Sequence, residues 1–338
     1  MRVLLTGGTG FIGSHTAVEL MQAGHQVVLY DNFSNSSPDV LSAIQTVVGI
    51  APTTVEGDVR DTQLLTRTLQ DNGIEGVIHL AGLKSVADSL LAPWSYYDNN
   101  VTGTLSLLKA MSSSHIAKLI FSSSATVYGQ PMCVPLTETQ AVGSLTNPYG
   151  RSKMFVESIL RDMATADADW SIICLRYFNP VGAHPSGLLG ENPNGDATNL
   201  FPCVVRAATG RAPSVEVFGN DYDTPDGTAI RDYIHIVDLA LGHVRAIEYV
   251  NRFSGFDVIN LGTGMGYSVL DVIKTFEKAC GYPIPVRFAA RRKGDVGACW
   301  ADTSKARDVL HWSATHDLET MCSTALRFAL RAAPVKRE

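Results

Sequence analysis

Through its first half the chain alternates short apolar runs with amphipathic stretches. The apolar runs carry the pattern of strands buried in a sheet, and the stretches between them repeat apolar residues at helical spacing. Strands are predicted at Val3–Thr6, Gln26–Tyr30, Thr53–Glu56, Gly76–Leu80, Lys118–Ser122 and Ser171–Arg176. Helices are predicted at Phe11–Ala23, Asp39–Val48, Asp61–Asp71, Pro93–Met111 and Tyr149–Met163. Strand and helix taking turns is the order of an α/β fold: a Rossmann-type, doubly wound parallel sheet covered by helices. Ligands of such a sheet sit outside the carboxyl ends of its strands.

After Tyr177 the texture changes. Between Asn179 and Gly227 the chain is rich in Gly, Pro, Asn and Asp, and so long an irregular stretch in a compact protein is usually functional. A helix is expected at Asp232–Val250 and a strand at Val258–Leu261, both returning to the first domain, and helices at Ser268–Ala279 and His316–Ala329 close the chain. The division is therefore discontinuous. Residues 1–177 with about 232–262 form the sheet domain, and about 178–231 with 263–338 form a smaller α/β domain. Only the tail, Ala332–Glu338, is expected to be loosely held.

Composition removes several classes. Of the 338 residues 45% are hydrophobic and 18% charged, a globular balance rather than a disordered one. A formal charge of −6 argues against nucleic acid or anionic membranes as partners. No apolar run approaches the roughly 20 residues of a membrane helix. Met1–Thr6 runs straight into a glycine loop and reads as a buried strand, not as a signal peptide. The six cysteines show no C-x-x-C spacing and the nine histidines no H-x-x-x-H pair. That suits a reducing cytoplasm and argues against a disulfide framework or a metal site.

The candidate chemistry begins at Gly7, Gly10 and Gly13, which follow a strand and open a helix. Glycine lets backbone approach a pyrophosphate closely, and a helix N-terminus offers unpaired N–H groups and a positive dipole end. Asp31, 18 residues beyond Gly13, ends the second strand. A carboxylate there accepts from ribose hydroxyls and repels a 2′-phosphate, which favours NAD over NADP; the other reading of Asp31-Asn32 is a turn or cap. Asp58 ends the third strand, where it would meet an adenine amino group or cap the next helix, a task for which Asp61 competes. Tyr149 and Lys153 are four apart on one helix, 25 residues after Ser124. They share a face, and a nearby ammonium favours the phenolate. With Ser124 and a dinucleotide site, this describes proton removal from an alcohol coupled to hydride transfer.

The glycine loop with Ser124, Tyr149 and Lys153 resembles the extended short-chain dehydrogenase/reductase superfamily. The segments His79–Lys84, Tyr96–Asn100, Ser122–Gly129, Leu175–Pro185 and Asp226–Asp238 narrow the resemblance to the UDP-glucose 4-epimerases, also called UDP-galactose 4-epimerases. It spans nearly the whole chain, and residues 175–185 are its most specific part. The resemblance implies that Tyr149 takes the sugar O4 proton, directly or through Ser124, while the C4 hydride passes to a tightly held NAD. The 4-keto sugar then turns over and is reduced on its other face. Lys153 would lower the Tyr149 pKa and bind the nicotinamide ribose. Phe11, Ile12, Asn32, Asn35, Ser36 and Val59 are implied at the cofactor site, as are Leu80, Ala81, Lys84, Asn99, Tyr177 and Phe178. Ile12 and Leu80 would be core residues in any such sheet.

The same resemblance places the UDP-hexose in the second domain. Arg231 and Arg292 would clamp its diphosphate, Asn179 and Asn199 would add hydrogen bonds, Phe218 would face the uracil and Asp295 the ribose. From composition alone, Arg291-Arg292-Lys293 reads as a solvated charge cluster. Cys299 stands where the family carries either a bulky aromatic or a small residue beside the sugar. It leaves room for a 2-N-acetyl group, so UDP-GlcNAc and UDP-GalNAc are expected substrates too; its other reading is packing. A homodimer is implied, through Pro93–Met111 and Tyr149–Met163, as is a place in galactose use. The 4,6-dehydratases also oxidise C4 but need an acid–base carboxylate pair, where this chain has Ala125-Thr126. A UDP-glucuronate decarboxylase would need a cation for the sugar carboxylate, which the sequence does not reveal. A redox-sensing binding protein would have no use for Ser124, Tyr149 and Lys153 together.

Overall fold

A computed structural model describes residues 1–131, 133–192, 198–292 and 294–332. The strands are β1 (Arg2–Thr6), β2 (Gln26–Asp31), β3 (Thr53–Glu56), β4 (Gly76–His79), β5 (Lys118–Ser124), β6 (Ser171–Tyr177) and β7 (Asn179–Val181). They continue with β8 (Val215–Phe218), β9 (Ile230–Arg231), β10 (Tyr233–His235), β11 (Gly255–Leu261), β12 (Tyr267–Ser268), β13 (Val286–Ala289) and β14 (Ala298–Cys299). The helices are α1 (Phe11–Gln22), α2 (Asp39–Val48), α3 (Thr62–Asp71), α4 (Val86–Leu91), α5 (Pro93–Tyr96) and α6 (Gly103–Ser113). After them come α7 (Pro148–Ala166), α8 (Leu200–Ala208), α9 (Ile236–Val250), α10 (Val269–Cys280), α11 (Ser304–Leu310) and α12 (Leu318–Ala332).

Seven strands form one parallel sheet in the order β11-β6-β5-β4-β1-β2-β3. Its strands are apolar on both faces because both faces are covered. Val3, Leu5, Ile78, Ile120 and Ile173 point into a core shared with α1, α2 and α9. The alternating residues Leu4, Val77, Leu119, Phe121 and Ile172 point into a core on the α3, α6 and α7 side. The order reverses between β1 and β4, and the crevice this opens at their carboxyl ends is where such sheets take ligands.

A second core gathers Phe201, Val204, Val217, Tyr233, Phe276 and Met321 from α8, β8, β10, α10 and α12. Three differences from the sequence-based expectation stand out. The predicted helix at Asp232 begins only at Ile236, because Tyr233–His235 pairs with β7 as a strand and His235 caps the helix. The single helix expected at Pro93–Met111 is α5, a π-helical turn at Tyr97–Thr102, and α6. Ala306, Leu310 and Trp312, expected in the second domain, pack into the core on the α1/α9 face of the sheet. Of the expected tail, 333–338 lies outside the described residues. No helix among the described residues is long and apolar enough to cross a membrane.

Candidate active site

The turn from β1 into α1 is built by steric demand at two glycines and by open space at a third. Gly7 has φ +67°, and a Cβ on it would lie 2.7 Å from Ala81 N. A Cβ on Gly13 would lie 2.2 Å from Gly7 O. Gly10, the residue before α1, has φ −70°, and a Cβ there would meet nothing nearer than Gly7 O at 3.4 Å. Neither backbone nor packing requires glycine at position 10, so what it keeps clear is the ligand side of the loop. There the first-turn N–H groups of α1 point outward without helical partners. The cradle fits a dinucleotide pyrophosphate.

Asp31, at the end of β2, accepts from Thr9 N at 3.0 Å and from Phe33 N at 2.9 Å. Asp31 thus forms the turn that was its other reading, and its carboxylate stands beside the glycine loop. Thr9 Oγ1 and Ser36 Oγ are 2.6 Å apart, which closes the same rim. For Asp58 the alternatives separate. Asp61 caps α3, accepting from Leu64 N at 2.9 Å. Asp58 instead takes Arg60 Nε and Nη2, each at 2.8 Å, and Asn32 Nδ2 at 3.2 Å. The Arg60 guanidinium holds the Asp58 carboxyl well below the usual range. Arg60 also reaches Asp98 at 2.5 Å, a tie that no local pattern in the chain predicts.

On the other side of the loop, Leu80 N donates to Thr6 O at 3.0 Å, which sets the path of Leu80–Lys84. Leu83 exchanges two hydrogen bonds with the buried Asn100 amide, at 2.8 and 3.0 Å. Asn100 Nδ2 also lies 3.0 Å from Ser152 Oγ on α7. Asn99 sits beside it on the π-helical turn, a feature often found at functional sites. Lys84 pairs with Glu191 at 2.9 Å across the two halves of the molecule. Ile12 and Leu80 pack against the sheet core, and Val59 is buried under Gly103. Asn35 is exposed.

Ser124 ends β5 and accepts from Thr126 N at 3.2 Å, starting the short turn Ala125–Tyr128. Tyr149 enters α7, whose N-cap Asn147 accepts from Gly150 N at 2.8 Å and whose Pro148 occupies the first turn. Burial pushes the Tyr149 phenol above its ordinary value, and its hydrogen bond with Ser124 works against that rise. The Lys153 ammonium donates to Ser122 O at 2.7 Å and lies over the Phe121 ring. Burial brings its pKa down to about 8. In this geometry it is Ser124, rather than Lys153, that opposes the rise at Tyr149. Under this group His79 bridges Thr6 and Thr104, and burial lowers it to about 3.

Contacts lead from the catalytic group into the second domain. Tyr177 pairs with Ser124 in the β5–β6 register, its hydroxyl committed to His243 Nε2 at 2.5 Å. Phe178 is buried in a small cluster with Val127, Tyr128, Leu136 and Ala301, and Cys299 packs against that cluster. Cys299 in turn pairs with Arg231 between β14 and β9. Burial raises the Cys299 thiol to about 11, so it is a neutral wall rather than a nucleophile. Asn179 begins β7 and is exposed. Asn199 precedes α8 with its amide unused for capping.

The arginine cluster divides. Arg291 pairs with Asp221 at 2.7 Å and covers the Tyr222 ring, whereas Arg292 lies 3.8 Å over the Phe218 ring and reaches Thr198 O at 3.3 Å. Lys293 lies outside the described residues. Asp295 is exposed just beyond, its backbone N–H bonded to Arg292 O at 3.2 Å. The sequence reading passed over Tyr222, whose buried hydroxyl has no hydrogen-bond partner among the described residues and stands in the field of Asp295 and Arg231. Nothing in its local pattern marks it, since its environment is made by residues far along the chain. Among the described residues no three His, Cys, Asp or Glu side chains gather to hold a metal.

The family model described as the NAD dependent epimerase/dehydratase family matches residues 3–262. A UDP-glucose 4-epimerase of Bacillus subtilis (strain 168) is 51% identical over 328 residues, covering 97% of this chain and 96% of that protein. The crystal structure of a UDP-glucose 4-epimerase from Bifidobacterium longum, in complex with NAD+ and UDP, superposes with a TM-score of 0.95 at 52% identity, over 98% of each chain. A second, from Stenotrophomonas maltophila with bound NAD and formylated UDP-arabinopyranose, gives a TM-score of 0.96 at 45% identity, over 98% of this chain and 100% of that one.

Proposed function

The chain belongs to the NAD dependent epimerase/dehydratase family, and from that premise we propose that it interconverts UDP-galactose and UDP-glucose through a 4-keto sugar. The observation that carries the reading is the placement of Ser124 at the carboxyl edge of the sheet beside the buried Tyr149, with Lys153 one turn along α7 and the glycine cradle beside it. Gly7, Gly10, Gly13 and Asp31 would hold the dinucleotide, with Lys84, Asn99 and Lys153 reaching it from the other side. When bound, NAD supplies a reversible acceptor for the hydride of the sugar C4.

The chain's own residues manage the proton and the orientation. Tyr149 takes the O4 proton on oxidation and returns it after the keto sugar has turned over, with Ser124 bonded to the same oxygen as a relay. A positioned acid–base group of this kind contributes about 10²–10⁴-fold. Arg231 and Arg292 hold the diphosphate, for which the guanidinium fork is suited. Phe218 keeps one face for the uracil while Arg292 occupies the other. Asn179, Asn199 and Asp295 complete the nucleotide contacts and leave the hexose free to rotate. A coupled assay of UDP-glucose formed from UDP-galactose tests this: turnover is expected, and bound NAD without turnover would favour a sensor.

Cys299 borders this pocket with a small, neutral side chain, and we assign it the choice of sugar. UDP-GalNAc and UDP-GlcNAc should also be interconverted, and Cys299→Tyr should lose that activity while retaining the non-acetylated pair. Unchanged N-acetyl turnover in the variant sinks the assignment. The protein acts in the cytoplasm, which agrees with the lack of disulfide bonds among the described residues, and serves galactose use. It works as a homodimer through α5–α7, where Trp94, Leu105 and Phe155 are exposed, next to the exposed Leu91 at the end of α4.

A further inference from the structure

Behind the catalytic group lies a charged cluster that the proton transfer does not use. Glu157 is one turn beyond Lys153 on α7, and it is buried, as are Arg176 on β6 and Ser123 on β5. Ser123 Oγ donates to Glu157 Oε1 at 2.5 Å, and Arg176 reaches the same carboxylate through Nε at 3.0 Å and Nη2 at 2.6 Å. Ser123 and Arg176 are register partners, so one carboxylate clamps two adjacent strands to the helix. The clamped residue lies between two working ones. Ser122 O receives Lys153 Nζ, and Ser124 acts on the Tyr149 phenol. A buried ion pair is generally no more stabilising than apolar residues of similar volume. Stability alone therefore gives no reason to bury this one here.

We infer that Glu157 is a positioning residue, which holds the stretch Ser122–Ser124 against the turn of α7 that carries Tyr149 and Lys153. The inference rests on the epimerase reading and deepens it. The titratable groups in the field of Lys153 are His79 on β4, Cys174 on β6 and Glu157 on α7, with Arg176 on β6 paired to Glu157 and the buried Tyr149 and Tyr177 nearby on α7 and β6. Burial lowers His79 to about 3, lifts Cys174 well above the ordinary thiol and raises both tyrosines, so all four are neutral near pH 8. Glu157 is then the anion that supports the charge on Lys153. It acts twice, through geometry and through charge.

Two variants of the NAD-loaded enzyme separate these effects. Ser123→Ala keeps the charge and removes one bond of the clamp; kcat is expected to fall about 10- to 100-fold with KM for UDP-galactose unchanged. Glu157→Gln removes the charge, and the Lys153 side-chain NMR signal, assigned by its loss in Lys153→Met, should titrate at lower pH than in the wild type. In Ser123→Ala that signal should titrate as in the wild type. An unmoved Lys153 titration in Glu157→Gln, or an unchanged kcat in Ser123→Ala, overturns the inference. If Glu157→Gln fails to fold, Ser123→Ala decides alone. The NMR titration needs no turnover, and wild-type turnover tests the epimerase reading by itself, so failure of either is distinguishable.

Discussion

Gly10 and Gly13 lie three residues apart in one turn, yet a methyl group would be received differently at each. At Gly13 it would sit 2.2 Å from the carbonyl oxygen of Gly7 and 2.8 Å from the backbone of Gly8, atoms that the sheet holds in place. Gly13→Ala should therefore destabilise the fold by about 1–3 kcal/mol, read as a lower urea midpoint at unchanged slope. At Gly10 the methyl would meet only Gly7 O at 3.4 Å. Gly10→Ala should unfold like the wild type but leave gel filtration with less bound NAD, and equal NAD content would show that the ligand does not approach this residue. Spacing made both glycines legible as a cradle. It did not tell which serves the fold and which the ligand, because that depends on how closely the folded turn brings Gly7 O and Gly8 to each position. Arg60 was missed because its reach to Asp98 joins residues that no local pattern connects.

The strongest prediction at the scale of the element concerns α7. An exposed lysine keeps its proton to above pH 10. Lys153 has its pKa lowered by burial to about 8, so between those values it is neutral where an ordinary lysine is charged. If its charge supports proton transfer by Tyr149, kcat should be full below about pH 8 and decline as pH rises through that value. Lys153→Met should be slow at every pH and lack this limb. A wild-type profile that stays flat to pH 10 would remove the lysine from the step. This helix was readable from its amphipathic pattern and Tyr149/Lys153 spacing, and so were the strands of the main sheet. The break in the helix predicted at Pro93–Met111 was not. Its π-helical turn places Asn100 against Leu83 and Ser152, a tertiary demand that helix propensity does not contain. The short strand at Tyr233–His235 was hidden likewise, since it exists only by pairing with β7.

Across the whole molecule the chain passes between its two cores several times, and buried carboxylates stitch the passages. Asp232 receives Thr263 N, Gly264 N and Ala301 N, and Asp238 receives Thr315 N and His316 N. Through such ties Trp312, far along the chain, returns to the sheet side, a route that composition could not show. One surface stays apolar after all this packing. Trp94 is 81% exposed and Leu91 85%. With Tyr97, Asp98, Val101, Thr102 and Phe155, Trp94 lines a depression of about 200 Å³ on the outer side of α5–α7, away from Ser124. Contiguous apolar surface of this kind commonly marks interaction sites, and in the homodimer proposed above a second copy of the same helices would supply matching apolar groups about a twofold axis. Sedimentation should therefore give a mass near twice the 36.4 kDa of one chain. Trp94→Glu would bury a carboxylate against the partner's apolar face, at a cost that only pairing or protonation relieves, and should sediment as the monomer. The tie from Asp98 through Arg60 links this face to Asp58, the residue expected to meet the adenine. The dissociated variant should then release NAD faster than the wild type, measured by the fluorescence of the reduced cofactor. A wild-type protein that sediments as a single chain would remove the interface and this link with it.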